Sequence, residues 1–316
     1  MRRNKRLLIL LAIGAVLISL GATYYEFFWA RPMGEGPAGP PVDPAPFAEV
    51  WTERPVEFVG IGDSITAGLG ASTPALRAFS RIFQNPEDDF PEMQGISLSA
   101  VLPNLSFENI AVSGSTSLQH VAMIDNRLHE RDPDTFGLIM LTTGGNDIIH
   151  TYGRQPPQEG GMYGATLEEA QPWIANFEPR LTGILESITA RFPGGCEIYL
   201  ADIYDPTDGV GDAPSVYLPH WPDGVAIHAE YNRIIREVAD RFDHVFVVPL
   251  YDTFLGHGSH CRQFWRETYV ADDPHYWFYD NVEDPNDRGY DAIRRLYLNA
   301  IAQNSSLARH ASAESP

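Results

Sequence analysis

The chain has 316 residues, 44% hydrophobic and 20% charged, which is typical of a globular protein with a sizeable core. Its 22 basic and 42 acidic residues give a net charge of −20, so it would repel a phosphate backbone and we expect no nucleic-acid partner. Lys5 is the single lysine, which excludes a Ser–Lys dyad, a Schiff-base lysine and a phosphate-loop lysine from the rest of the chain.

The N-terminal segment, residues 1–31, starts with basic residues and continues as an uncharged apolar run over residues 7–23. That run is at the short limit for crossing a bilayer, and the aromatic residues after it suit a membrane interface. We predict a signal anchor, with a cleaved signal peptide as the alternative. The basic start would place the following domain outside the cytoplasm, with the membrane as a partner.

Three further regions follow the predicted anchor. Residues 32–50 are rich in proline and glycine and are predicted to form a linker. The folded domain is expected over residues 51–303, and residues 304–316 are expected to form a flexible tail.

The two cysteines, Cys196 and Cys261, are expected near opposite ends of a sheet and therefore unpaired.

Within the domain, short apolar runs alternate with helical patterns. The runs predict buried strands at residues 56–61, 107–112, 136–142, 196–201 and 245–250. Apolar residues at helical spacing predict helices at residues 117–130, 167–192, 225–242 and 287–302. This alternation predicts an α/β domain in which helices cover both faces of a parallel sheet.

The carboxyl ends of the strands are where such folds hold their reactive groups. The first predicted strand leads into Gly62-Asp63-Ser64. A serine at a strand-to-helix turn has an exposed hydroxyl and free backbone N–H groups beside it, which suits a nucleophile. Taken alone, the same three residues are equally typical of a turn with a helix cap.

The next two strand ends carry complementary groups. The second strand leads to Gly114, whose N–H could face a reacting centre. The third leads to Asn146, which could donate its side-chain N–H to an oxyanion, and to Asp147, which would hold the local backbone.

These signals in combination resemble the SGNH hydrolases, also called the GDSL esterase/lipase superfamily, over about residues 55–302. GDS at 62–64, Gly114 and GGND at 144–147 match the first three conserved blocks of that family in type and order. The resemblance implies a flavodoxin-like three-layer α/β/α sandwich with about five parallel strands. It also implies a Ser–His–Asp triad with Ser64 as nucleophile, and an oxyanion hole from the N–H groups of Ser64 and Gly114 and the side chain of Asn146.

The fourth block departs from the family pattern, which has D-x-x-H close before the last helix. Here Asn281 stands at the aspartate position and Asp284 at the histidine position, and an ordinary aspartate is too weak a base near neutral pH. A second D-x-x-H lies upstream at residues 272–275. We therefore predict His275 as general base and Asp272 as the carboxylate that orients it.

Alternatives to this assignment remain. Asp273 takes the orienting role if the D-x-x-H register is off by one. His257 and His260 also lie between the fifth strand and the last helix and are alternative bases. Trp221, Trp265 and Trp277 are candidates for lining the substrate pocket.

Metal and cofactor chemistry is not expected. The acidic loop at residues 202–212 could hold Ca²⁺, but it lacks a terminal bidentate glutamate and is better interpreted as a solvated loop. His257, His260 and Cys261 could ligate zinc but have no partner cluster. We predict no cofactor and no metal.

The predicted function is a serine esterase or lipase that hydrolyses a small-molecule or acyl ester. One alternative is an O-acetyl esterase that acts on cell-wall or exported polysaccharide, since the anchor would keep the domain near such material. Another is an inactive domain of the same fold that binds glycans or partners, which is suggested by the altered Asn281–Asp284 segment.

Overall fold

The computed structural model describes residues 2–308, so most of the predicted tail at 304–316 lies outside the described residues. Five parallel strands form one sheet in the order β2-β1-β3-β4-β5, which is the order of flavodoxin-like folds. The strands are β1 (Val56–Ile61), β2 (Leu105–Asn109), β3 (Phe136–Leu141), β4 (Cys196–Ala201) and β5 (Val245–Val248). The helices are α1 (Arg2–Phe28), α2 (Ser64–Ala67), α3 (Ala78–Phe83), α4 (Leu98–Val101), α5 (Ser117–Arg127), α6 (Gly145–Ile149), α7 (Leu167–Ala190), α8 (Gly224–Ala239), α9 (Leu250–Phe254) and α10 (Asp287–Asn304).

Helices cover the sheet on both sides and confirm the predicted three-layer α/β/α class. Alternate residues of β3 point to opposite faces, so Leu138 joins one core and Ile139 the other. The first core packs against α3 and α10, and the second packs against α5, α7 and α8. Cys196 lies in the second core and Cys261 in the first, and both are buried and free.

The edge strand β2 differs from its prediction. It was expected at residues 107–112 and buried on both faces, but it covers Leu105–Asn109 and is partly exposed along its length. The register explains the shift, because Leu105 pairs with Val56 at the start of β1. An edge strand pairs with one neighbour only and is therefore less buried than a central strand. Its apolar run in the sequence nevertheless resembles that of a central strand.

The N-terminal part of the chain contacts the domain. Within α1, residues Leu8–Phe28 are apolar, unburied and long enough to cross a membrane. The segment 32–50, predicted to be a linker, packs on the domain and buries Ala38, Val42 and Phe47. The N–H of Ala38 donates to Oδ2 of Asp291 in α10 at 2.9 Å, so the path of this segment is fixed by the last helix.

The acidic loop after β4 uses its carboxylates to bind the chain's own groups. Asp208 is buried and accepts N–H groups from Gly256 at 2.9 Å, Gly258 at 2.7 Å and His260 at 2.8 Å. This carboxylate therefore ties the loop after β4 to the loop after α9. Among residues 2–308, no group of three or more His, Cys, Asp or Glu side chains is arranged to hold a metal ion.

We expect Asp208→Ala to lower the free energy of unfolding by about 2–4 kcal/mol, because three buried N–H donors would lose their acceptor. Urea unfolding followed by circular dichroism measures this change. The matched control is Asp243→Ala, an exposed aspartate, which should stay within about 0.5 kcal/mol of the wild type. Equal stability of the two variants would show that the Asp208 contacts contribute nothing.

Candidate active site

Ser64 is the first residue of α2, directly beyond the carboxyl end of β1. Asp63 caps this helix, because its Oδ1 accepts the N–H of Ile65 at 3.1 Å. The same oxygen accepts the hydroxyl of Thr142 at 2.8 Å. Gly62 has φ +136°, and a Cβ there would lie 2.2 Å from the carbonyl oxygen of Thr142. Only glycine fits this close approach, so the local sequence fixes the turn that carries Ser64.

The predicted oxyanion donors lie on the loops beyond the neighbouring strands. Asn146 lines the same cavity as Ser64, and its Nδ2 donates to the carbonyl of Ser115 at 3.0 Å. Ser115 also donates its hydroxyl to the carbonyl of Gly62 at 3.1 Å, which joins the loop after β2 to the nucleophile turn. Gly114 has φ +80° and open space on its Cβ side, and it lines a second depression. The structure therefore places Ser64, Gly114 and Asn146 beyond the carboxyl ends of β1, β2 and β3, with Gly114 in a different depression from the other two.

Asp147, which follows Asn146 in the chain, stabilises the loops that carry these residues. It is fully buried, its Oδ1 accepts the N–H of Ser117 at 2.7 Å, and Arg180 lies 3.5 Å from its Oδ2. Burial raises the pKa of this carboxyl, which its hydrogen bonds and the arginine oppose. Asp147 thus holds the start of α5 against α6, through a residue 30 positions away and not through the local backbone that was predicted.

The predicted base, His275, and its predicted orienting carboxylate, Asp272, are not among the described residues that line the Ser64 cavity. Nδ1 of His275 lies 2.5 Å from Oδ1 of Asp273, whereas Asp272 is exposed. The imidazole packs under the N-terminal segment, since a Cβ at Gly34 would lie 2.6 Å from its Cγ. The His275–Asp272 pair stays a prediction, and the contacts here join His275 to Asp273 instead.

The alternative histidines are engaged elsewhere. His257 stacks on Trp277 with ring centroids 3.4 Å apart, and burial lowers its pKa to about 4. Nε2 of His260 lies 2.8 Å from Oδ1 of Asp212, and burial lowers its pKa too. Neither lines the Ser64 cavity among the described residues. His228 of α8 does line it, with its ring centroid 5.3 Å from that of Tyr251.

Asp284, the residue that stands at the family's histidine position, is an ionisable group close to Ser64. Its Oδ2 accepts a hydrogen bond from Nδ2 of Asn281 at 2.6 Å. Its Oδ1 is buried without a hydrogen bond of regular geometry within the described chain, but the Ser64 hydroxyl is close enough to lower the pKa of the carboxyl. Burial is the larger effect and raises that pKa above its ordinary value. The sequence prediction excluded Asp284 as the base because it used the pKa that an aspartate has in water.

Two further carboxyls, those of Glu283 and Asp63, lie close to Asp284. Burial raises the pKa of Glu283 to about 7, and the negative charges of Asp284 and Asp63 add to the effect. The hydroxyl of Tyr152 donates to Glu283 and opposes the shift. Burial likewise raises the pKa of Asp63 to about 6. Close carboxylates disfavour each other's ionisation, so this site holds its protons to higher pH than exposed acids do.

A cavity of about 480 Å³ opens beside Ser64. Its walls come from α2, α6, α8, the loops after β3 and β4 and the segment before α10, and they are mostly apolar. The apolar lining residues include Ile65, Ile148, Ile149, Ile203, Val216, Leu218, Trp221, Val225 and Val282. Of the three tryptophans predicted for the pocket, Trp221 lines it, Trp277 is buried in the first core and Trp265 is half exposed near α1.

Comparison with known proteins gives the family. Residues 61–292 match the model of the GDSL-like Lipase/Acylhydrolase family. Similar solved structures include phospholipase A1 from Streptomyces albidoflavus NA297, at 16% identity over 79% of this chain and 99% of that one, with a TM-score of 0.49. An extracellular lipase from Streptomyces rimosus is 18% identical over 79% of this chain and 100% of that one, with a TM-score of 0.47. An acetylxylan esterase from Geobacillus stearothermophilus is 17% identical over 79% and 96%, also with a TM-score of 0.47.

No curated protein matches the chain. The family match nevertheless spans more than half of it, from the last residue of β1 into α10. The chain therefore belongs to the GDSL-like lipase/acylhydrolase family, whose members are ester-hydrolysing enzymes.

Proposed function

We propose that this protein is a carboxylic ester hydrolase that uses Ser64 as its nucleophile and binds the acyl group of its substrate in the adjoining cavity. The observation that carries the proposal is the position of Ser64, at a strand-to-helix turn and on the wall of a largely apolar cavity of about 480 Å³. Such concave apolar sites with a few polar groups are typical of small-molecule binding.

In the proposed reaction, Oγ of Ser64 attacks the ester carbonyl and its proton passes to the Asp284 carboxylate. The negative charge on the tetrahedral intermediate is stabilised by the N–H groups of Ser64 and Gly114 and by Nδ2 of Asn146. The proton then goes to the departing alcohol. Water then attacks the acyl carbon while the same carboxylate takes its proton. The carboxylate returns this proton to Oγ of Ser64 as the Ser64–acyl bond breaks, and the acyl group leaves as the carboxylic acid.

Asp284 is favoured over His275 as the base on two grounds. The Ser64 hydroxyl interacts with the Asp284 carboxyl, whereas the imidazole of His275 is held by Asp273 and faces Gly34. A carboxyl whose pKa is raised by burial is also a stronger base than one in water, since basicity follows pKa.

The cavity walls favour acyl esters over acetylated polysaccharide. An acetyl group needs little apolar volume, whereas an acyl chain gains roughly 0.8 kcal/mol for each methylene that it buries. We therefore place a longer acyl ester first among the substrate classes and an O-acetyl ester second.

Filling the cavity should shorten the preferred acyl chain. Ala213 lines the cavity and is nearly buried, so Ala213→Phe is expected to lower kcat/KM for p-nitrophenyl octanoate roughly tenfold more than for p-nitrophenyl acetate. Hydrolysis rates of the two esters measure the ratio. The control is Ala190→Phe at the exposed end of α7, which should leave the ratio unchanged. A wild type that hydrolyses only acetyl esters would favour the polysaccharide esterase instead.

We also propose that α1 is a membrane anchor that keeps the domain outside the cytoplasm. Its apolar, unburied stretch Leu8–Phe28 and the basic residues that precede it support both parts of this proposal. Protease accessibility of the domain in intact cells, with retention of the chain in the membrane fraction, tests them together.

A further inference from the structure

The end of α1 packs against the catalytic domain through aromatic side chains. The ring of Phe27 lies 5.5 Å from that of Phe264 and 5.4 Å from that of Trp265. Glu26, one residue earlier, forms an ion pair with Arg262 of the same loop. The helix therefore does not end in a free tether but in a defined contact with the domain.

A second contact brings in the loop after β4. The ring of Trp29 lies 5.8 Å from that of Tyr217, and the guanidinium of Arg31 lies 5.6 Å from the same tyrosine ring. The group of aromatic residues around the helix end is hereafter the aromatic collar: Phe27, Phe28, Trp29, Tyr217, Phe264 and Trp265.

The collar remains open to its surroundings. Tyr217 is 73% exposed, Phe264 61% and Trp265 50%. Such a patch of large rings is unusual on a surface that meets only water, whereas aromatic rings are enriched where proteins meet the bilayer interface. The apolar stretch Leu8–Phe28 runs directly into this patch, so a bilayer that holds α1 also reaches the collar.

Tyr217 links the collar to the active site. It lines the Ser64 cavity together with its neighbours Val216 and Leu218, while its ring contacts Trp29. One wall of the cavity is thus built from the same loop that meets the helix end.

We propose that the aromatic collar docks on the surface of a lipid bilayer, so that the Ser64 cavity receives acyl substrate from the membrane interface. This inference rests on the proposed anchoring by α1 and the proposed ester hydrolysis at Ser64. The net charge of −20 favours a zwitterionic bilayer over an anionic one as the docking surface.

A fluorescent label tests docking without measuring activity. Trp265→Cys in the full chain is labelled with an NBD maleimide and reconstituted in phosphatidylcholine vesicles. The native thiols of Cys196 and Cys261 are buried, and burial raises the pKa of each to about 12, so they should not react. The matched control is Asp134→Cys, exposed before β3 at the opposite end of the sheet.

The expected result is a blue shift of the label at position 265 and loss of its emission when brominated phosphatidylcholine is used, with neither change at position 134. Label at 265 that stays unquenched in vesicles that retain the chain would overturn the docking. A blue shift without quenching would assign the collar to a second copy of the chain and overturn it too. A chain that does not float with the vesicles would contradict the anchor itself.

A functional readout separates docking from catalysis. The double variant Phe264→Ser/Trp265→Ser changes two collar residues that do not line the cavity. Its hydrolysis of a long-chain ester embedded in vesicles should fall roughly tenfold relative to hydrolysis of a water-soluble short ester. Equal loss on both esters would point to damage to the enzyme and not to lost docking, and no loss on either would refute the inference. A wild type without ester hydrolysis would instead refute the proposed function and leave the fluorescence result to decide the docking.

Discussion

Ser64→Ala is expected to abolish ester hydrolysis while leaving the fold intact. Removing the nucleophile of a serine hydrolase lowers kcat by about 10⁴-fold or more, because the oxyanion donors and binding alone give only weak catalysis. The substitution removes one half-buried hydroxyl, so the unfolding free energy should change little. Hydrolysis of p-nitrophenyl octanoate by the full chain in detergent measures the loss.

Ser187→Ala is the matched control, because Ser187 lies in α7 away from the cavity and the same atom is removed. It should retain wild-type activity. Unchanged hydrolysis in Ser64→Ala would refute the assignment of the nucleophile. A folded wild type that hydrolyses no aryl, acyl or acetyl ester would favour the alternative of an inactive binding domain.

Asp284→Asn is expected to lower kcat/KM by about 10²- to 10⁴-fold, the usual contribution of a general base. In the wild type the carboxylate must be ionised to accept the proton, so activity should rise with pH. Burial raises the pKa of Asp284, so this rise should be centred above the ordinary range of a carboxyl. The asparagine variant should keep a small residual rate without that rise, and pH–rate profiles of both proteins measure it.

Two control variants make the Asp284 result decisive. Asp280→Asn removes an exposed carboxylate that lines the same cavity and should leave the profile unchanged. His275→Ala should retain activity if Asp284 is the base. Loss of activity in His275→Ala with none in Asp284→Asn would restore the histidine assignment and contradict the aspartate one.

Asp284→Asn should also change how the free energy of unfolding depends on pH. A carboxyl whose pKa is raised on folding stabilises the native state below its unfolded pKa of about 4, and that contribution is lost as pH rises through the folded value. Asp284→Asn removes this group, so the decline in the free energy of unfolding with rising pH should be shallower than in the wild type. Urea unfolding at several pH values measures the slope, and an unchanged slope would show that the carboxyl is not perturbed by folding.

Much of the fold could be predicted from periodicity. The bounds of β1 and β4 match their predicted residues, because their apolar runs are bordered by turn residues. The edge strand β2 was misplaced, since sequence pattern does not reveal which strand has a single neighbour. The packing of segment 32–50 on α10 was missed because its prolines and glycines are equally typical of a free linker.

The sequence alone determined the strand ends that carry Ser64, Gly114 and Asn146, because turn glycines and short polar residues must follow buried strands there. It did not determine which ionisable group faces Ser64. That depended on the long-range approach of Asp284 to Ser64, which no local pattern encodes. Only the tertiary structure buries Asp284, and burial changes its pKa, so the residue dismissed as too weak a base becomes the candidate for that role.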